Sequence, residues 1–389
     1  MMWMLGLLAC GAEDVTGEYA DRKEAALAEP AKAKANWKAE VAFRLSPELV
    51  VDLISKGVEA GAKDADPIDI VGIGTIKPTA RVENLKLQSS AGCDGCVGIK
   101  GRLEGKLTVK IAGRKRSLPY VARFTADLKF DTVQRGDARH IEMRVVDVSR
   151  LKVEVEDLPG VDVGPLIKDY GKDLLEGLDP VDMGDLGGPE LHLRDARVVE
   201  ESGGLRIELL TDAPVPAPIR TWPAAPSTGW QALVSEDAVL AMVRREAFAA
   251  GDLADGMEIY AEPVALDVEG TTFDLDLRVW RLKGKGWWRD YDVSGDLAVK
   301  SRHLHLDAQD VVEGDKSPGA AVVDPLALLG EGVILETLAD ACHGSLPAAE
   351  TMQVGSQRWS LQTTATYGQA DNLVLEGSVR FTDPSKKGK

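Results

Sequence analysis

Two cysteines two residues apart, in Cys93-Asp94-Gly95-Cys96, are the sharpest local candidates for chemistry in the body of the chain. The spacing suits a small disulfide clip over an Asp-Gly turn, a pair of free thiols, half of a metal site or a redox pair. Redox use needs a helix N-terminus to lower a thiol pKa, whereas Val97-Gly98-Ile99 continues as strand. Zinc would need two further ligands, and the candidates Cys342 and His343, as sequence neighbours, point in different directions. The disulfide therefore ranks first, and Cys342 reads as a lone core thiol. Five histidines, His140, His192, His303, His305 and His343, are scattered. His303 and His305 share a strand face, but no third ligand accompanies them, so no metal site is expected. The chain has no GxSxG, Walker loop, HExxH or dinucleotide fingerprint. Its many carboxylates form no pair that helix or strand spacing singles out. The expectation is a protein without catalysis and without a cofactor.

Charge placement is more informative. The chain has 389 residues and a formal net charge of -17, which argues against a nucleic-acid partner, because phosphate binding draws on clustered Lys and Arg. Yet nine Lys or Arg between Lys100 and Lys129 face only Glu104 and Asp127. The turn of that stretch carries Arg114, Lys115 and Arg116. A second turn, at Leu282 to Gly286, carries Lys283 and Lys285 and is followed by Trp287 and Trp288. Cations interleaved with Trp suit contact with an anionic lipid surface, at about 1 kcal/mol per cation. The opposing reading, in which basic residues blunt exposed strand edges and Trp packs on a sheet, carries more weight.

The elements that must position these residues follow from periodicity. Trp37, Ala39, Val41, Phe43 and Leu45 alternate with polar residues and predict a strand. Ser46-Pro47 supplies an N-cap and a first-turn proline for a helix with Leu49, Val50, Leu53, Ile54 and Val58 on one stripe. Leu103, Leu107, Val109 and Ile111 predict a strand that turns at Ala112 to Arg116 and returns from Tyr120 to Phe130. Ile141 to Val148 and Leu151 to Val155 continue the meander. A helix from Val163 to Leu178 carries Leu166, Ile167, Tyr170, Leu174 and Leu175 on a wide apolar stripe. Leu205 to Leu209 closes the unit.

Residues 211–229 hold five prolines and read as a linker between domains. Beyond them the order repeats. Ser235 caps a helix, Phe273 to Val279 alternate, a hairpin turns at Leu282 to Gly286, and Asp324 opens an apolar helix with Leu329, Val333 and Ile334. Leu373 to Glu376 closes. Val163-Gly164-Pro165-Leu166 is echoed by Val323-Asp324-Pro325-Leu326, so the chain reads as a duplicated strand, helix, meander, helix, strand unit. The first domain is 37–210, the second 230–383, with a short tail at 384–389.

The N-terminus is apolar from Met1 to Ala9. Leu7-Leu8-Ala9-Cys10 resembles the lipobox of bacterial lipoproteins, although basic residues are missing before a short apolar run. That resemblance implies a signal peptide over 1–9, lipidation of Cys10, and export to a bacterial envelope membrane facing the periplasm or the outside. An oxidising compartment would favour a Cys93–Cys96 disulfide. Residues 10–36, rich in Ala, Glu, Lys and Asp, are expected to be a disordered tether. No run approaches the roughly 18 apolar residues of a membrane-spanning helix.

In element order, each half resembles a tubular lipid-binding domain of the bactericidal/permeability-increasing protein superfamily. The resemblance covers residues 37 to 383 and rests on topology and on the paired helix openings. It implies an α+β fold of two tandem domains, each a curved antiparallel sheet wrapped around long amphipathic helices. It also implies a groove for a lipid or another long apolar molecule, lined by Leu53, Ile54, Leu166, Leu174, Leu175, Val243, Leu329, Val333 and Ile334. The expected function is sequestration or transfer of that molecule. The alternative is an envelope scaffold with a packed interior. Neither reading identifies a protein partner.

Overall fold

The structure, a computed structural model, describes residues 14–29, 36–64, 68–70, 74–90, 96–111, 114–135, 138–155, 181–185, 193–253, 256–284, 286–300, 303–317, 351–354 and 357–382. In chain order these form α1 (Val15–Leu27), β1 (Val41–Leu45), α2 (Pro47–Asp64), β2 (Ile68–Ile70), β3 (Gly74–Ser89), β4 (Cys96–Ile111), β5 (Arg114–Arg135), β6 (Ala138–Val155) and β7 (Val181–Asp185). There follow β8 (Leu193–Glu201), β9 (Gly204–Thr211), β10 (Trp230–Ser235), α3 (Glu236–Ala250), β11 (Ile259–Glu269), β12 (Thr272–Arg281), β13 (Trp287–Lys300) and β14 (His303–Lys316). The last are β15 (Thr351–Val354), β16 (Gln357–Gly368) and β17 (Asn372–Thr382).

The expected α+β fold, with sheets wrapped around long amphipathic helices, is overturned. Seventeen strands in three antiparallel sheets dominate the described residues, beside three helices of 13, 18 and 15 residues. The physical reason is the reach of the two-residue alternation. The return strand expected from Tyr120 to Phe130 is part of the 22-residue β5, and β4 and β6 are nearly as long. The helices expected at Val163 to Leu178 and from Asp324 lie outside the described residues.

Two of the sheets are meanders, β2 to β7 and β11 to β14, with neighbours in chain order. The third runs β15-β16-β17-β10-β1-β9-β8 and draws on both halves of the chain. Its centre is the antiparallel pair β1 and β10, with Phe43 opposite Ala232. Each of these strands is flanked by a closing strand of its own half, β9 beside β1 and β17 beside β10. Ser46 accepts from the Leu49 amide at 3.3 Å, with Pro47 opening α2 as expected. Ser235 likewise accepts from the Ala238 amide at 3.2 Å at the start of α3.

The proline-rich stretch is not a free linker. Ala217 and Ile219 are buried, and Ile219 packs with Ala39, Ala42, Leu233 and Val374 against one face of the shared sheet. Prolines lack an amide donor, so the sheet's side chains fasten this stretch mainly through its carbonyls. Arg44 donates to the Pro223 and Ala224 carbonyls at 2.9 and 3.2 Å, and Asn372 to the Thr221 carbonyl at 2.9 Å. Buried Glu40 accepts from the Thr211 and Ala217 amides at 2.8 and 3.0 Å. Gly229 ends the stretch at φ +66, where a Cβ would meet the Gly377 carbonyl oxygen at 2.1 Å. Only glycine lets the chain enter β10 there.

The expected tether over 10–36 is also corrected, because it contains α1. Asp14 caps it, accepting from the Gly17 amide at 3.0 Å. Val15, Tyr19 and Ala26 fall on one face and are buried with Phe248 and Trp280. Three small anchors at helical spacing do not lift the stretch's average hydrophobicity, which is why composition read it as unstructured.

Candidate functional site

The longest apolar surface among the described elements lies on β5. Leu118, Tyr120, Ala122, Phe124, Ala126, Leu128 and Phe130 occupy seven successive alternate positions, and none is more than 8% exposed. Strand geometry sends them to one face and the intervening Arg123, Thr125, Asp127 and Lys129 to the other. The neighbours extend the face, since Leu103 pairs with Ala122 and Val97 with Leu128 on β4. On the other side Met143 of β6 pairs with Phe130. At the position opposite Phe124 stands Gly101, where a Cβ would fall 2.9 Å from the Phe124 ring and from Leu85. The glycine makes room for the aromatic ring, a recurrent cross-strand device.

Two of the expected groove residues meet this core. Leu53 and Ile54 of α2 are buried in the same cluster as the β5 stripe; Val243 of α3 is buried as well. The remaining six, Leu166, Leu174, Leu175, Leu329, Val333 and Ile334, lie outside the described residues. Leu53 and Ile54 face inward because the capped start of α2 sets the phase of its stripe, with Leu49 and Val50 buried one turn earlier.

The hairpin tips divide. Arg114, Lys115 and Arg116 open β5 opposite Ile111, Lys110 and Val109, so they stand in strand rather than in the turn. Lys283 is exposed and donates to the Gly256 carbonyl at 3.1 Å; Lys285 lies outside the described residues. Trp287 is 5% exposed, and Trp288 is half-buried with the Arg278 guanidinium 3.9 Å above its ring. Rings so placed do not present a face to a lipid surface. α1 contributes to this packing: Trp288 lies against the cluster of Val15, Tyr19 and Trp280, and Val15 approaches Gly286. Burial, with Tyr260 and Glu262 nearby, pushes the Tyr19 phenol well above its ordinary value.

Cys96 starts β4 and is buried, while Cys93, Cys10, Cys342 and His343 lie outside the described residues. His303 and His305 stand two apart on β14, opposite Lys300 and Ala298; His140 is on β6, and His192 is outside. Among the described residues no group of three or more His, Cys, Asp or Glu is placed to hold a metal.

A second constellation went unnoticed in the sequence. Arg22 of α1 donates to Glu262 of β11 at 3.1 Å, and Trp280 donates to the other oxygen of that carboxylate at 3.0 Å. Arg278 pairs with Glu18 at 3.3 Å and with Asp290 at 2.6 Å. The Glu18 to Arg22 spacing of four residues was the available signal for a helix here.

No family model and no curated protein matches the chain. Among solved structures, a lipopolysaccharide binding protein is 12% identical, with 89% of this chain and 99% of that one covered and a TM-score of 0.37. P47 from Clostridium botulinum A2 is 11% identical, covers 87% and 97%, and has a TM-score of 0.39. P47 of Clostridium botulinum E1 is 10% identical, covers 88% and 100%, and has a TM-score of 0.41. At these TM-scores the likeness carries no argument about fold or function.

Proposed function

We propose that this chain is a non-enzymatic binder of a lipid or another long apolar molecule, held against the apolar face of β4, β5 and β6. The observation that carries the reading is the unbroken stripe from Leu118 to Phe130, which at about 3.3 Å per residue runs for roughly 40 Å. Burying an acyl chain of about 16 carbons contributes roughly 12 kcal/mol before ordering costs, at ~0.8 kcal/mol per CH₂. Such binding needs no reacting group. Export and anchoring through Cys10 belong to the same reading, supported by Leu7-Leu8-Ala9-Cys10. The basic residues Arg114, Lys115, Arg116, Lys283 and Lys285 would then meet the membrane surface.

One observation favours a second reading. Every stripe residue is already buried, as in a scaffold whose interior is packed by its own side chains. Native mass spectrometry of protein from its own host, with the variant Ala122→Trp, separates the two. A carrier shows bound lipid in the parent and less in the variant, with little change in thermal midpoint. A packed scaffold shows no lipid in either, and the variant loses about 1–3 kcal/mol from overpacking.

A further inference from the structure

With no stripe residue in its lining, a cleft of about 430 Å³ lies among α1, the proline-rich stretch, α3 and β11. One wall is apolar, formed by Pro214, Val215, Leu240 and Ala241, and Val215 is left 69% exposed at its rim. The lining also holds three guanidiniums, of Arg22, Arg220 and Arg244, and two carboxylates, of Asp237 and Glu262.

The charges do not cancel locally. Glu262 is committed to Arg22 and to the Trp280 indole, and Asp237 to the exposed Arg220 at 2.8 Å. Arg244 is half-buried and has no carboxylate partner among the described residues. Its Nε and Nη2 donate at 2.7 Å each to the carbonyls of Pro263 and Val264, where a register shift in β11 leaves the ladder irregular. Those bonds satisfy the bulge, and the nearby Glu262 carboxylate, itself paired with Arg22, compensates the charge only in part. Burial lowers the Arg244 pKa, an effect that Glu262 opposes and that the like charge of Arg22 reinforces. An unpaired, partly desolvated cation is costly unless an anion joins it.

We infer that this cleft binds a small amphipathic carboxylate, its head on Arg244 and its aliphatic arm on Pro214, Val215 and Leu240. A planar guanidinium suits a planar carboxylate, and the volume suits a small ligand. The site is independent of the apolar face of β4 to β6.

Isothermal titration of the full chain with decanoate, decyltrimethylammonium and acetate tests the assignment. Decanoate is expected to show one saturable site that the ammonium and acetate do not share, whatever apolar binding both decyl compounds show on the β5 stripe. Arg244→Met should weaken decanoate at least tenfold. Because that variant also strips the bulge carbonyls of their donor, Val215→Asp serves as a second. It changes an exposed side chain, should keep the parent's thermal midpoint, and should weaken decanoate at least tenfold by repulsion. Ala122→Trp, on the stripe, should leave the affinity of that site unchanged and lower only binding that the two decyl compounds share. The absence of a decanoate site that the ammonium fails to share, or an unchanged affinity of that site in Val215→Asp, would overturn the proposal. A loss in Ala122→Trp without a loss in Val215→Asp would place decanoate on the stripe instead, and also overturn it.

Discussion

Arg44 and Glu201 show how much one buried charge organises. Arg44, 3% exposed at its side chain, meets both carboxylate oxygens of Glu201, at 2.8 and 2.9 Å, and donates to Gln231 at 2.9 Å. Gln231 passes the network to Glu376 at 3.0 Å, and Tyr367 donates to the same carboxylate at 2.8 Å. Burial alone would raise the Glu201 pKa, but the hydrogen bond and charge of Arg44, with Arg206, outweigh it and hold the carboxyl below its ordinary 4.5. A folded pKa below the unfolded one gives stability that is present above the unfolded value and lost as pH falls through the folded one. Glu201→Gln should therefore lower the urea midpoint at pH 7, and the difference from the parent should shrink steadily as the pH is taken below about 4.5. A difference that stays constant down to acid pH would show that Glu201 contributes shape and not charge.

At the scale of elements, α1 is the most testable correction. Its hold on the molecule is concentrated in Tyr19, whose ring lies 4.9 Å from Tyr260, 5.6 Å from Phe248 and 5.8 Å from Trp280. Outside that face the helix makes an exposed Glu18–Arg22 pair, which contributes little, and single ion pairs to Glu262 and Arg278. Tyr19→Ala should cost the helix about 3 kcal/mol of docking energy. Hydrogen exchange read by mass spectrometry should then show protection lost over residues 15–27, while β12 and β13 keep theirs. Unchanged protection in α1 would show that the ion pairs hold it.

For the whole molecule, the shared sheet decides how the halves unfold. β1 has a partner from each half, and its Arg44 is hydrogen-bonded to residues on both sides of the proline-rich stretch. Breaking either half would expose the edge of β1 and leave Arg44 buried without its acceptors, a cost of about 3–5 kcal/mol. Urea unfolding of the full chain should thus be one transition, with coincident curves from tryptophan fluorescence and far-UV circular dichroism. Two resolved transitions would mean that the halves are independent after all.

Local rules were sufficient for much of this protein. The Ser46 and Ser235 caps, the β4–β5 and β12–β13 hairpins, and the inward faces of Leu53, Ile54 and Val243 all follow from residue types within a few positions of one another. Neighbours two or four apart share a face whatever the rest of the chain does. Tertiary structure alone decided that β1 and β10 pair, that the proline-rich stretch packs Ile219 on a sheet, that α1 covers Trp280, and that Arg22 and Arg244 meet one cleft. Those outcomes depend on contacts between residues far apart in sequence, such as Arg22 with Glu262. Periodicity records which face a residue turns inward. It does not record what it will find there.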